Sequence, residues 1–477
     1  MFDAERQRLL SSCIWSPDEG QLGYFEAWTD GSAAGSAASN CRTGLLDDDE
    51  VEQWLHQQGR FSPRARPGQA RPTMRVRLLM CERVTWLPVG FAMSRPSFLA
   101  METAFRLPTE TLPILVANNG KQYSNLRFGA DDDGRLESIA LTAKLPQMFQ
   151  LGNLGLAMSH HLDAGTTLAF LHGWNMFSDR DHVTNEPIVP HAETLRGVMQ
   201  SAAALWAHPL FLPTALVREH LSRAEAFKGR LEPRVTEIER ALGVTKSARL
   251  VGSEANASVQ HTIRDDEERL RITAFLKTTA TDVVNMLGVL DWDLQYVKFL
   301  GRVNGDLRAL HGRIPPATDA ELRSIVEYLE CEALSIVSFV GAMKSRLDLQ
   351  LNVLYNFIAQ AGNNLNMKIA ANAGLDSTAM KTLAVVTMIF LPPTFIATLF
   401  SMSMFDWQGS PSTAGGTDRT VVPEFWVYWA VSVPLTLAIV VGWRVWWHFQ
   451  KGYYENKYLS VKPSEVPGAG RRRSEGF

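Results

Sequence analysis

The chain has 477 residues, with 47 Lys and Arg against 50 Asp and Glu, which is too long for one ordinary core and too evenly charged to point to nucleic acid. Four scattered cysteines, Cys13, Cys41, Cys81 and Cys331, form no CxxC pair and read as reduced structural thiols in a cytosolic compartment. The opening "MFDAERQRLLSSCIW" lacks the apolar run of a secretory signal, so membrane entry is expected from internal segments.

In chain order, residues to about 70 are polar, Gly/Ser-rich in "TDGSAAGSAASN" and acidic in "LLDDDEVEQWL", which predicts a short amphipathic helix beside flexible connections. "TMRVRLLMCERV" partly alternates as a half-buried strand does, and "TLPILVA", "LESIALTA" and "TTLAFLHG" are further strand candidates. A helix is expected over Glu193 to Trp206. Residues 1–210 therefore read as a cytosolic mixed α/β domain.

Residues 211–316 read as a helical region. Ala215 to Leu242 and Asp265 to His311 repeat apolar residues at three and four spacing among dense charges. Thr318 followed by Glu321 predicts a capping box and a new helix. No strong breaker follows before the apolar segment ending near Phe405, so 317–405 reads as one stalk continuous with a first membrane span, on the order of 130 Å of helix. Leu347, Leu351, Leu354, Ile358, Ala361 and Leu365 make a heptad seam that asks for partner helices, and a stuttered step through Ile369, Ala373 and Ser377 extends it.

Thr382 to Phe405 and Phe425 to Trp443 are each uncharged and close to the length that crosses about 30 Å of hydrocarbon. Trp426 and Trp429 at one end of the second, and Trp443, Trp446 and Trp447 at the other, match interfacial aromatic belts. Lys368, Lys381, Arg444, Lys451, Lys457, Lys462 and Arg471 to Arg473 put both termini in the cytoplasm, with a loop at 406–424 outside, a second span at 425–447 and a basic tail at 448–477. The expected class is an α+β membrane protein in a lipid bilayer, with no nucleic-acid partner and no cofactor.

Thr387, Thr394, Thr398 and Ser401 follow at steps of seven, four and three, which places them on one helical face. Serine and threonine hydroxyls in membrane helices commonly bond their own preceding carbonyls or join two helices. A seam that gathers several copies would instead turn this row toward a shared axis, where neutral oxygens suit the water shell of a divalent cation. Asp406, just past the span, would then place a ring of negative charge, a metal-attracting group, at the outer mouth. The alternative is a membrane-anchored regulatory or scaffold protein whose spans only tether it. An enzyme finds little support: "GKQYSNLRFG" lacks P-loop spacing, and "MSHHLDAG", with His160, His161 and Asp163, reads as a surface turn.

"AMKTLAVVTMIFLPPTFIATLFSM" resembles the first transmembrane helix of the CorA metal-ion transporters, in particular the divergent fungal-type branch near the ZntB zinc transporters. The likeness rests on Met380-Lys381, Phe390-Leu391-Pro392 and Thr394-Phe395, a short loop, a second span and a basic tail. It implies a homopentamer with a cytosolic funnel, a pore lined by the long helix and an outer ring of second spans. Pore positions would be Ser377, Met380, Leu383, Thr387, Leu391, Thr394, Thr398 and Ser401, with Met380, Leu383 and Leu391 as apolar constrictions. The family's Gly-Met-Asn at the outer mouth is replaced here by Ser401-Met402-Ser403, which leaves the choice among divalent ions open. The resemblance implies a hydrated divalent ion as cargo, magnesium first, with zinc or another divalent ion as the alternative. The plasma membrane is the expected location, with an organelle as the alternative.

Overall fold

The computed structural model describes residues 3–29, 41–62, 72–129, 136–181, 185–242, 266–310, 314–402 and 425–454. Its elements are α1 (Asp3–Ser12), β1 (Ile14–Trp15), β2 (Leu22–Thr29), β3 (Cys41–Leu46), α2 (Val51–Leu55), β4 (Thr73–Glu82), β5 (Gly90–Phe91), α3 (Arg95–Ala104), α4 (Thr111–Leu115), β6 (Lys121–Phe128), β7 (Leu136–Lys144), β8 (Gly155–His161) and β9 (Thr166–Gly173). Helices follow: α5 (His191–Ser201), α6 (Phe211–Leu242), α7 (Asp266–Leu310), α8 (Pro316–Phe400) and α9 (Phe425–Tyr454). The chain divides into two compact units, residues 1–356 and 357–477.

In the first unit seven strands form one sheet in the order β3-β2-β4-β9-β8-β7-β6, antiparallel except at β4 and β9, where Val76 pairs with Thr167 in parallel. The apolar faces meet a core around Trp54, Phe61, Phe91, Phe98, Phe105 and Phe170, all essentially buried. The Phe98 ring meets Phe170 edge-on at 5.9 Å and Phe91 at 5.7 Å, tilted geometries that aromatic quadrupoles favour.

Three strand candidates hold, as β4, β7 and β9. "TLPILVA" does not: it is the short helix α4, with Leu112, Ile114 and Leu115 buried. Pro113 explains the correction, since proline cannot donate to a ladder but is tolerated in a first helical turn, where no intrahelical acceptor is needed. "MSHHLDAG" is not a surface turn throughout. His160 lies in β8, buried, with its Nδ1 2.8 Å from Thr167 Oγ1, and the turn begins only at Leu162. α8 begins at Pro316, with Asp319 N–H donating to Pro315 O, so Thr318 lies inside the first turn and is not its cap. "TDGSAAGSAASN" falls almost wholly outside the described residues.

The buried face of β2 carries Glu26, whose carboxylate accepts from Arg42 Nε at 2.9 Å and Arg77 Nε at 3.1 Å, while Arg77 also donates to Leu55 O and Trp54 O. A buried acid between two guanidiniums is held by geometry, and stranding one partner costs more than the pair contributes. Glu26→Ala is therefore expected to lower stability by about 3 kcal/mol in a denaturant titration. Adding Arg77→Met should recover part of that loss, because it removes the stranded charge. A loss below about 1 kcal/mol for the single variant would contradict this account.

The helices of the first unit are joined by acid-centred contacts. His191 Nδ1 on α5 sits 2.9 Å from Glu219 Oε1 on α6, and Arg223 Nε donates to the same oxygen at 2.7 Å. Burial pushes the His191 imidazole down to about 4, against the pull of Glu219. Burial alone would raise Glu219, but the His191 and Arg223 bonds outweigh it and hold the carboxyl below its usual value. His220 on α6 pairs with Asp293 on α7 at 2.7 Å, both wholly buried. Asp319, at the start of α8, accepts from Asn304 at 2.9 Å and contacts Arg308 and Arg323 at 3.3 Å each. Arg346 then ties α8 to Glu239 on α6 with two bonds of 2.7 Å.

Candidate permeation helix

Among the described residues two helices are long and apolar enough to cross a membrane: α8, through its C-terminal part, and α9, from Phe425 to Phe449. Neither is buried by the rest of the chain over its apolar window, unlike the core helix of a soluble protein. The least exposed positions of the first step along Ala384, Met388, Pro392, Ile396 and Leu399; those of α9 step along Tyr428, Ser432, Thr436, Val440 and Trp443. These are the packed faces of the second unit. Tyr428 hydroxyl donates to Pro393 O at 3.2 Å, and Lys381 Nζ lies 5.1 Å from the centre of the Trp447 ring, so the helices are fastened at both ends.

The candidate pore residues lie elsewhere. Met380, Leu383 and Leu391 are 72%, 69% and 60% exposed, and Thr387, Thr394, Thr398 and Ser401 are exposed beside them. At roughly 100° per residue, this row is centred about 120° around the helix from the face that meets α9. Ser377 is exposed too, nearer the packed side, and Met402 follows Ser401, exposed, in the final turn. Ser403 and Asp406 lie outside the described residues, as does the loop between the spans.

The hydroxyl protons are used within the helix. Thr387 donates to Leu383 O at 2.8 Å, Thr394 to Phe390 O at 3.0 Å and Leu391 O at 2.9 Å, and Thr398 to Phe395 O at 2.8 Å. This is the local bonding that apolar surroundings favour. It leaves each oxygen facing outward as an acceptor, which is the polarity the hydrogens of a cation's water shell require.

The heptad seam divides in two. Leu347 and Leu354 are buried against their own chain and Leu351 is half-buried, whereas Ile358 and Leu365 are 45% and 59% exposed. Among the described residues the proximal seam is thus covered by its own chain, whereas Ile358 and Leu365 stand exposed on either side of a half-buried Ala361. Among the described residues no group of three or more His, Cys, Asp or Glu side chains is placed to hold a metal ion. Sequence spacing found the hydroxyl row but missed the polar ladder Tyr428, Ser432 and Thr436, whose four-residue step was its only signal.

No known family profile matches the chain. A stretch of 117 residues, 24% of the chain, is 33% identical to Notoamide biosynthesis cluster protein M' of Aspergillus versicolor, and the chain spans about a quarter of that protein's length. Among solved structures, the full-length CmaX protein aligns over 91% of this chain and 98% of its own, at 11% identity and a TM-score of 0.39. The soluble domain of CorA from Methanocaldococcus jannaschii aligns over 70% of this chain and 97% of its own, at 12% identity and a TM-score of 0.35. The ZntB cytoplasmic domain from Vibrio parahaemolyticus RIMD 2210633 aligns over 70% and 98%, at 8% identity and a TM-score of 0.35.

Proposed function

We propose that this chain is the subunit of an oligomeric divalent-cation channel of the CorA-like type, a homopentamer in the plasma membrane with both termini in the cytoplasm. The observation that carries the reading is the exposed row Thr387, Thr394, Thr398 and Ser401 on a face turned away from α9. A tether has no use for such a row, whereas several copies would gather it around a water column. Exposed Ile358 and Leu365 continue a seam through which the copies would associate. Met380, Leu383 and Leu391 would act as apolar rings that close the conduit by dewetting. The cargo is a hydrated ion, magnesium first, with zinc or another divalent ion as the alternative. Ser401, Met402, Ser403 and Asp406 form the outer mouth, Asp406 raising the local cation concentration.

The test is uptake by the purified full chain in liposomes, profiled across magnesium, zinc, cobalt and nickel, with particle symmetry read by microscopy. A saturable flux of at least one of these ions from fivefold particles is expected. A monomer, or vesicles no leakier than protein-free controls for all four ions, would favour the anchored-scaffold reading.

A further inference from the structure

Within the second unit, α8 carries two adjacent prolines in mid-span, Pro392 and Pro393. Neither has an N–H, so the carbonyls of Met388 and Ile389 lose the donors a helix would give them, and the rings press against those same oxygens. In hydrocarbon, with no water to take its place, such a carbonyl must find another donor or remain unpaired at a cost. α9 presents hydroxyls on the facing side. Tyr428 reaches across to Pro393 O. One turn along, Ser432 is 1% exposed and its Oγ has no hydrogen-bond partner, while Thr436 is satisfied by Ser432 O at 2.7 Å. The helices run antiparallel, as the Tyr428 to Pro393 and Trp447 to Lys381 contacts require. Four residues on from Tyr428 and four back from Pro393 therefore bring Ser432 level with Ile389, whose carbonyl is one of the two that lose their helical N–H donor to a proline.

We propose that the tandem proline is a hinge in the permeation helix, and that α9 sets its angle through two hydroxyls, Tyr428 on the Pro393 carbonyl and Ser432 on the carbonyls freed at Met388 and Ile389. Leu391 lies on the exposed face immediately before the hinge, so a change of bend moves the apolar ring it contributes. This role in gating rests on the channel reading above; the hinge itself does not.

The test uses the full chain in lipid vesicles, as wild type, Tyr428→Phe/Ser432→Ala, Pro392→Ala/Pro393→Ala, and all four substitutions together. Amide hydrogen exchange over 386–400 and cation flux are read on each. With the prolines present, losing both hydroxyls should speed exchange about tenfold and change flux at least about twofold. With alanines in their place the helix supplies its own donors, and losing the hydroxyls should change exchange by less than about twofold. Ser432→Thr, which keeps the hydroxyl, should exchange like wild type. Equal acceleration in both backgrounds, or none with the prolines present, overturns the hinge. If exchange couples as stated while no metal crosses, the hinge stands and the channel reading falls; if metal crosses and exchange is uncoupled, the hinge alone falls.

Discussion

Leucine at both Thr394 and Thr398 is expected to reduce divalent-cation flux by about tenfold or more while leaving folding and oligomer size unchanged. Folding is spared because both hydroxyls donate to carbonyls of their own helix and both side chains are exposed within the chain, so their removal strands no buried donor. On the channel reading proposed above, flux is lost because two successive turns of acceptor oxygens become bulky apolar surface, and a conduit with Leu391 as an apolar ring would dewet along its outer half. Serine at both positions, which keeps the oxygens, should retain most of the flux. The measurement is ion uptake in reconstituted vesicles together with particle size. Undiminished uptake by the double-leucine variant would remove the hydroxyl row from the pathway.

The second large effect is acid lability of the first unit. His191 and His208 are buried and pushed down to about 4, and burial holds His172 well below the usual imidazole range. An unfolded chain binds protons on these rings as the pH drops below about 6.5, whereas the folded chain does not until near 4. Stability is therefore full above about 6.5 and falls between 6.5 and 4, by about 3 kcal/mol for each of His191 and His208 at the lower end. Asp293, pushed up by burial, works in the opposite sense and softens the loss, since its folded carboxyl takes a proton before its unfolded counterpart. Denaturant midpoints of the full chain between pH 7.5 and 4.5 would check this. His191→Gln with His208→Gln should flatten the slope even if it lowers the baseline. A midpoint constant to pH 5 would show that these rings protonate in place.

Long amphipathic periods were the most legible part of the fold. α6, α7 and α8 appear almost where three-and-four spacing puts them, because each needs only one stripe of burial to declare itself. The sheet was half legible. β4, β7 and β9 were readable as apolar or alternating runs, but β2, "LGYFEAWT", is buried on both faces along most of its length and so does not alternate, while β6 is half-exposed throughout. Glu26 inside β2 hid the strand further, since its two guanidinium partners come from β3 and β4 and leave no local trace. The hydroxyl row was legible because a helix turns spacing into a face. Which face meets α9 was not, because that choice is made by Tyr428 and its neighbours on another segment.

One junction in the sheet governs how this molecule comes off the ribosome. Val76 on β4 finds its parallel neighbour Thr167 on β9 only after the intervening chain has been made, an interval of roughly 5 to 20 s at ordinary elongation rates. Throughout that wait the three-stranded β3-β2-β4 piece shows an open flank on β4 of backbone donors and acceptors, the kind of border that recruits stray strands. Such an edge is the kind of surface that holdase chaperones cover, and slowed synthesis within residues 83–165 is expected to lengthen the exposure and lower the yield.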